Sequence, residues 1–242
     1  TVAADRAENT AKLQKYYEQM IGSKQRLSLS YNSLVDLLYK LNDSTNAIEC
    51  LKKGRLALPN DLELLKKEIN YFIAKGKSMD ALNNLNSAID AKPKDELLYF
   101  TRGNIYDNIA NPRDSQGKFG QRKKNYDEMI GKAEADYKKA IELNPELFVA
   151  LYNLGVLYNN DGSYWNTEAD KLSADKTSDK PKYDEYLKKS NDSFKKAMPM
   201  FEKALMNNPK STSCMKALKQ IYARLGMTKE LNEINERLKT AN

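Results

Sequence analysis

Catalysis needs particular side chains at particular spacings, and this sequence supplies few of them. It contains no histidine, which removes Ser-His-Asp and Cys-His nucleophile activation, imidazole metal ligands and the usual general base near neutral pH. The two cysteines, Cys50 and Cys214, belong to no CxxC pair. They offer neither a zinc site nor a disulfide framework and read as buried thiols. Asp and Glu are abundant, yet spacing places no pair of them in one cleft, and solvated helix faces account for them. The chain therefore reads as a protein that is not an enzyme, with no catalytic residue, no metal site and no cofactor.

The one concentration of reactive side chains is basic. Arg113, Lys118, Arg122, Lys123 and Lys124 stand against Asp114 alone, with Phe119 and Tyr126 as aromatic neighbours. Such a run could contact phosphate. It lacks a glycine-rich loop ending in Lys-Ser/Thr and the repeated aromatic interleaving of a single-strand platform. It reads first as a solvated loop leading into an extended helix, with nucleic-acid or anionic-surface binding through 113–124 as a lower-ranked alternative. The whole-chain charge of +7 is modest for 242 residues and spread along the sequence.

The elements that must carry these residues are helices. Only 10 Gly and 7 Pro occur, among many Lys, Leu, Ala and Glu, which favours an all-α chain. No apolar run approaches the ~20 residues that span a bilayer. Four segments share one spacing, in which a small residue is followed four on by a large apolar one, three later by a second small one, and five later by proline. They are Ala47, Leu51, Gly54, Pro59; Ala81, Leu85, Ala88, Pro93; Ala133, Tyr137, Ala140, Pro145; and Ala197, Phe201, Ala204, Pro209. Positions four and seven apart share a helix face, where small side chains let a neighbouring helix approach closely, and proline then ends the helix. A preceding helix is marked by Tyr31, Leu34, Val35 and Leu38, and again by Leu65, Ile69 and Phe72, with turns at Asn42 and Gly76. Each unit is a helix-turn-helix pair that cannot bury its apolar face alone.

Pro59 and Pro93 lie 34 residues apart, and this period with this pattern resembles the tetratricopeptide repeat. Pro145 and Pro209 follow at intervals of 52 and 64, which leaves insertions of 18 and 30 residues. Tyr99, Gly103 and Tyr106 keep the first-helix pattern ahead of one insertion, and Leu151, Leu154, Gly155 and Tyr158 ahead of the other, with a turn expected at Gly162. The resemblance implies one domain over 1–242, built as a right-handed α-solenoid of helix-turn-helix pairs. Its repeats would cover 28–61, 62–95, 96–147 and 148–211, with extended second helices in the third and fourth. A polar capping pair would occupy 212–242. An N-terminal helix within 1–24, with Leu13, Tyr17 and Met20 in phase with a second helix, reads first as the remnant of an earlier repeat in a longer array, with a capping helix as the alternative. Within the second insertion, Pro181 starts a helix that a bend at Pro199 interrupts, and Trp165 packs the added layer.

The resemblance further implies that first helices line a concave groove for a peptide or partner protein. Its groove positions fall on Asn32, Asp36, Lys66, Asn70, Phe100, Asn104 and Tyr152. The family's carboxylate clamp for a chain terminus is incomplete. Lys66 and Asn70 match its opening residues, but Thr101 stands where the clamp has asparagine, and Val149 and Asn153 where it has lysine and arginine. The expected function is a protein-interaction scaffold. The alternative is the sensory or regulatory region of a larger protein such as a kinase. The expected setting is the periplasm or cell envelope of a bacterium, with the cytoplasm as the other option.

Overall fold

The computed structural model describes residues 2–59, 61–112, 122, 124–172 and 179–240. These residues form helices joined by short turns, with no strand among them. The chain divides into two compact units, residues 1–94 and 95–242.

The first unit holds α1 (Val2–Gly22), α2 (Leu27–Lys40), α3 (Ser44–Ala57), α4 (Leu62–Ala74) and α5 (Ser78–Ala91). The α2–α3 turn closes on Asn42 at φ 59° and the α4–α5 turn on Gly76 at φ 69°, both in the left-handed region that these residue types tolerate. Asp43 then caps α3 by accepting from the Asn46 backbone N–H. Tyr31, Leu34, Val35 and Leu38 of α2 pack with Ala47, Cys50 and Leu51 of α3 and Leu64 of α4 in one buried cluster. Tyr17 and Ile21 of α1 lie against that cluster, whereas Leu13, expected on the same face, is 42% exposed. The contact face of α1 is therefore carried by Tyr17 and Ile21. Both cysteines are buried, and burial pushes the Cys50 thiol up to about 11.

The second unit holds α6 (Glu96–Ala110), α7 (Tyr126–Leu143), α8 (Phe148–Asp170), α9 (Lys180–Asn207), α10 (Thr212–Arg224) and α11 (Thr228–Thr240). Its core runs through Tyr137, Leu151, Leu154, Phe201, Leu218, Ile221 and Ile234. The small residues of the repeat pattern sit where helices meet: Ala133, Ala140, Ala197 and Ala204 have no exposed surface. Gly155 of α8 faces Phe201 of α9 so closely that a Cβ would stand 3.0 Å from two of its ring carbons.

The second insertion differs from expectation at Gly162. No turn forms there, and α8 continues through it to Asp170, reaching 23 residues, where α2, α4, α6 and α10 have 13 to 15. Gly162 is instead a second close-approach point, its Cα turned to the Phe194 ring, and Ser190 Oγ donates to its carbonyl at 2.8 Å. Its partner α9 starts beside Pro181, as the sequence implied, and runs 28 residues through Pro199. Of the 30 added residues, the described ones lengthen both helices of one hairpin.

Gly155→Val should lower the unfolding free energy by about 1–3 kcal/mol, because Phe201 is buried and its ring has little room to retreat. Urea denaturation followed by circular dichroism measures it. An unchanged midpoint would show that the two helices are not in close contact here.

Candidate partner-binding faces

The first-helix positions singled out in the sequence divide between the two units. In the first unit Asp36 and Asn70 line one open pocket of about 480 Å³, together with Tyr39 of α2, Ser44 and Ile48 of α3, Lys67 and Tyr71 of α4, and Lys75 just beyond it. Asp36 accepts a hydrogen bond from the Lys67 ammonium, which ties α2 to α4. Asn70 is exposed. Asn32 and Lys66 do not line this pocket. Asn32 donates to the Ser28 carbonyl at 2.9 Å and to Asp61, while its own Oδ1 is buried without a partner. Lys66 pairs with Glu63 on its own helix at 3.0 Å.

The groove positions of the second unit are more deeply engaged. Asn104 Oδ1 accepts from Tyr137 Oη and from Asn153 Nδ2, each at 2.7 Å, so one amide oxygen joins α6, α7 and α8. Burial raises the pKa of the Tyr137 phenol, which keeps it a donor. Phe100 lies tilted against Tyr137, with centroids 6.1 Å apart. Tyr152 stacks on Phe148 and meets the edge of Phe201. Leu97 of α6, 38% exposed, and Val149 of α8, 39% exposed, present apolar surface to solvent. Beside this network Arg102 grips the buried Asp136 through two bonds, Nε at 2.8 Å and Nη2 at 2.7 Å.

The basic run takes a different part from the one its composition suggests. Arg122 hydrogen-bonds Asp161 at 2.7 Å and lies between two rings, 4.1 Å from the Tyr126 centroid and 3.4 Å from that of Tyr164. Its side chain is 18% exposed, so this guanidinium is spent on anchoring the start of α7 to the lengthened α8. Lys124 is exposed, and Arg113, Lys118 and Lys123 lie outside the described residues. Trp165 packs between Tyr164 and Tyr186, each 5.2 Å away, which makes it a packing residue of the added hairpin, as expected.

Sequence reasoning missed Tyr39, Lys67, Tyr71 and Lys75, and also Ser44 and Ile48 of α3, which lie off the first helices. Tyr39 stands three positions after Asp36, and Lys67 three before Asn70 and four before Tyr71, so helical spacing carried the signal for these three. Lys75 sits beyond the end of α4, where helical spacing gives no guide.

Two stretches, residues 29–54 and 136–169, match models described as tetratricopeptide repeat. The first covers most of α2 and of α3, and the second joins the end of α7 to α8. The chain carries tetratricopeptide repeats. Solved structures with the same helix-pair fold include MamA, at 18% identity over 89% of this chain and 91% of that one with a TM-score of 0.57. YrrB, a tetratricopeptide repeat protein with an unusual peptide-binding site, matches at 13% identity over 93% and 92% with a TM-score of 0.55. A thermophilic protein of the same type from Thermus thermophilus matches at 16% identity over 87% and 89%, with a TM-score of 0.54. At such identities the likeness shows the fold alone. No curated protein matches the sequence. No helix among the described residues of this repeat protein is long and apolar enough to cross a membrane.

Arg122→Ala should destabilise the second unit by about 1–2 kcal/mol, since it removes a ring-stacked, ion-paired guanidinium. Lys124→Ala should stay within about 0.5 kcal/mol of the parent. Parallel urea titrations of the two variants test the contrast, and equal effects would refute the anchoring role.

Proposed function

We propose that this repeat protein is an interaction scaffold that takes a peptide or a partner protein on its first-helix faces, and that it is not an enzyme. The observation that carries the reading is the first-unit pocket. Side chains at first-helix groove positions, Asp36 and Asn70, border an open space with hydrogen-bonding groups and rings turned to it. In the second unit, Leu97 and Val149 offer exposed apolar surface on α6 and α8 beside an amide network held in place by Tyr137. Fixed polar groups next to apolar area suit recognition of an extended segment, because little side-chain freedom is lost on binding. The fold likeness to YrrB, itself described by a peptide-binding site, agrees with this use. Phosphate binding by the basic run draws no support from Arg122, whose charge is already matched by Asp161. The same proposal places the protein in the envelope of a bacterial cell, on the likeness of its Lys-, Asn- and Tyr-rich repeats to those of bacterial repeat proteins.

Affinity capture of native partners with the intact chain tests the reading. Asn104 is a poor position to vary, because its loss would strand the Tyr137 hydroxyl and disturb the fold. Exposed positions are better: Asn70→Ala with Lys75→Ala in the first unit, and Leu97→Asp with Val149→Asp in the second. At least one pair should lower partner recovery about tenfold with an unchanged helical spectrum. Full recovery by both pairs would refute binding through the first-helix faces.

A further inference from the structure

The first-unit pocket has a chemistry of its own, and it points to the class of side chain it receives. Its single carboxylate, Asp36, is already held by Lys67, whose ammonium keeps two further protons to donate. On the same pocket Lys75 is exposed, and no carboxylate among the described residues pairs with it. Burial, and then the neighbouring Tyr71, raise the pKa of the Tyr39 phenol, so Tyr39 keeps its proton and can donate. Asn70 and Ser44 add two more donors. The balance is two ammonium groups, two phenols, an amide and a hydroxyl around one satisfied acid. Such a balance is complementary to an added anionic oxygen and unfavourable to a cation. Ile48 and the tyrosine rings supply apolar wall beside these donors.

We propose that this pocket binds the side-chain carboxylate of an internal Asp or Glu in an extended partner segment, with an apolar neighbour of that acid seated against Ile48 and Tyr71. This rests on the first-helix face being the binding face. An internal acid is favoured over a chain terminus by two observations. Lys66, the opening lysine of the terminal-carboxylate clamp, is paired with Glu63 and lies off the pocket. The positions for the clamp's later cations are occupied by Val149 and Asn153.

The test uses the intact chain and a pool of random decapeptides, all with amidated C-termini, so that no terminal carboxylate is present. Retained peptides should be enriched in Asp and Glu next to aliphatic or aromatic residues. Replacing the acid of a retained peptide by its amide should weaken binding about tenfold in fluorescence anisotropy, the scale of one charge-assisted contact. Lys75→Glu should abolish the acidic enrichment while leaving the helical spectrum unchanged, and Lys75→Arg should preserve it. Equal affinity for acid and amide peptides, or acidic enrichment that survives Lys75→Glu, would overturn the proposal. If peptides are retained without acidic preference and are lost on Leu97→Asp with Val149→Asp, the scaffold reading stands and the acidic pocket alone falls. If no peptide is retained the acidic pocket falls, and if native partners also survive all four changes the scaffold reading falls with it.

Discussion

Among the described residues, a helix backbone lies close against an aromatic ring at four places because the residue there is glycine. Gly54 meets Tyr31, Gly103 meets Tyr137, Gly155 meets Phe201 and Gly162 meets Phe194, each so closely that an added Cβ would stand 3.0 Å from the ring. This close approach sets how tightly paired helices sit. The rest of each unit follows from it, because helices held that near one another can bury leucines and alanines around the contact with little void. It also explains the alternation of small and large residues along the chain. A ring needs a flat place to lie, and a glycine or alanine on the facing helix provides it. The lengthened α8–α9 hairpin repeats the same device at Gly162, two turns beyond Gly155, so the insertion extends the packing rule of the repeat without replacing it.

Polar groups in the second unit are largely engaged in holding helices together. Arg102 with Asp136, Asn104 with Tyr137 and Asn153, and Arg122 with Asp161 each bridge elements that the apolar core alone would leave free to slide. In the first unit the corresponding face keeps an open pocket with spare donors. A side chain already satisfied inside the fold gives little to a ligand, and one left with unused hydrogen-bonding capacity can give more. That difference, more than position in the repeat, separates residues that hold the scaffold from those available to a partner.

Much of the fold was legible in the sequence because its rule is local. Ala47, Leu51 and Gly54, with their counterparts, sit four and three apart, and a helix turns that spacing into a face without help from distant residues. Asn42 and Gly76 marked their turns for the same reason, since left-handed backbone needs residues that tolerate it. Gly162 was misleading. Glycine after a first-helix pattern usually ends the helix, but here Phe194, 32 residues away, packs on it and the helix continues. Leu13 erred in a similar way, because apolar phase alone did not show which side of α1 would find α2.

The sequence by itself determined that the chain is all-helical, that its helices pair, that the first two pairs turn at Asn42 and Gly76, and that histidine-dependent catalysis has no residues to run on. These depend on residue type and on spacings within one helical turn or one repeat. Only the tertiary structure decided which polar side chains are consumed and which are left over: that Arg122 is stacked and ion-paired inside the added layer, that Asn104 is locked by Tyr137, and that Lys75 joins Asp36, Tyr39 and Asn70 around one space. Those outcomes turn on contacts between helices tens of residues apart, where a shift of one residue in helix phase exchanges a partner for solvent.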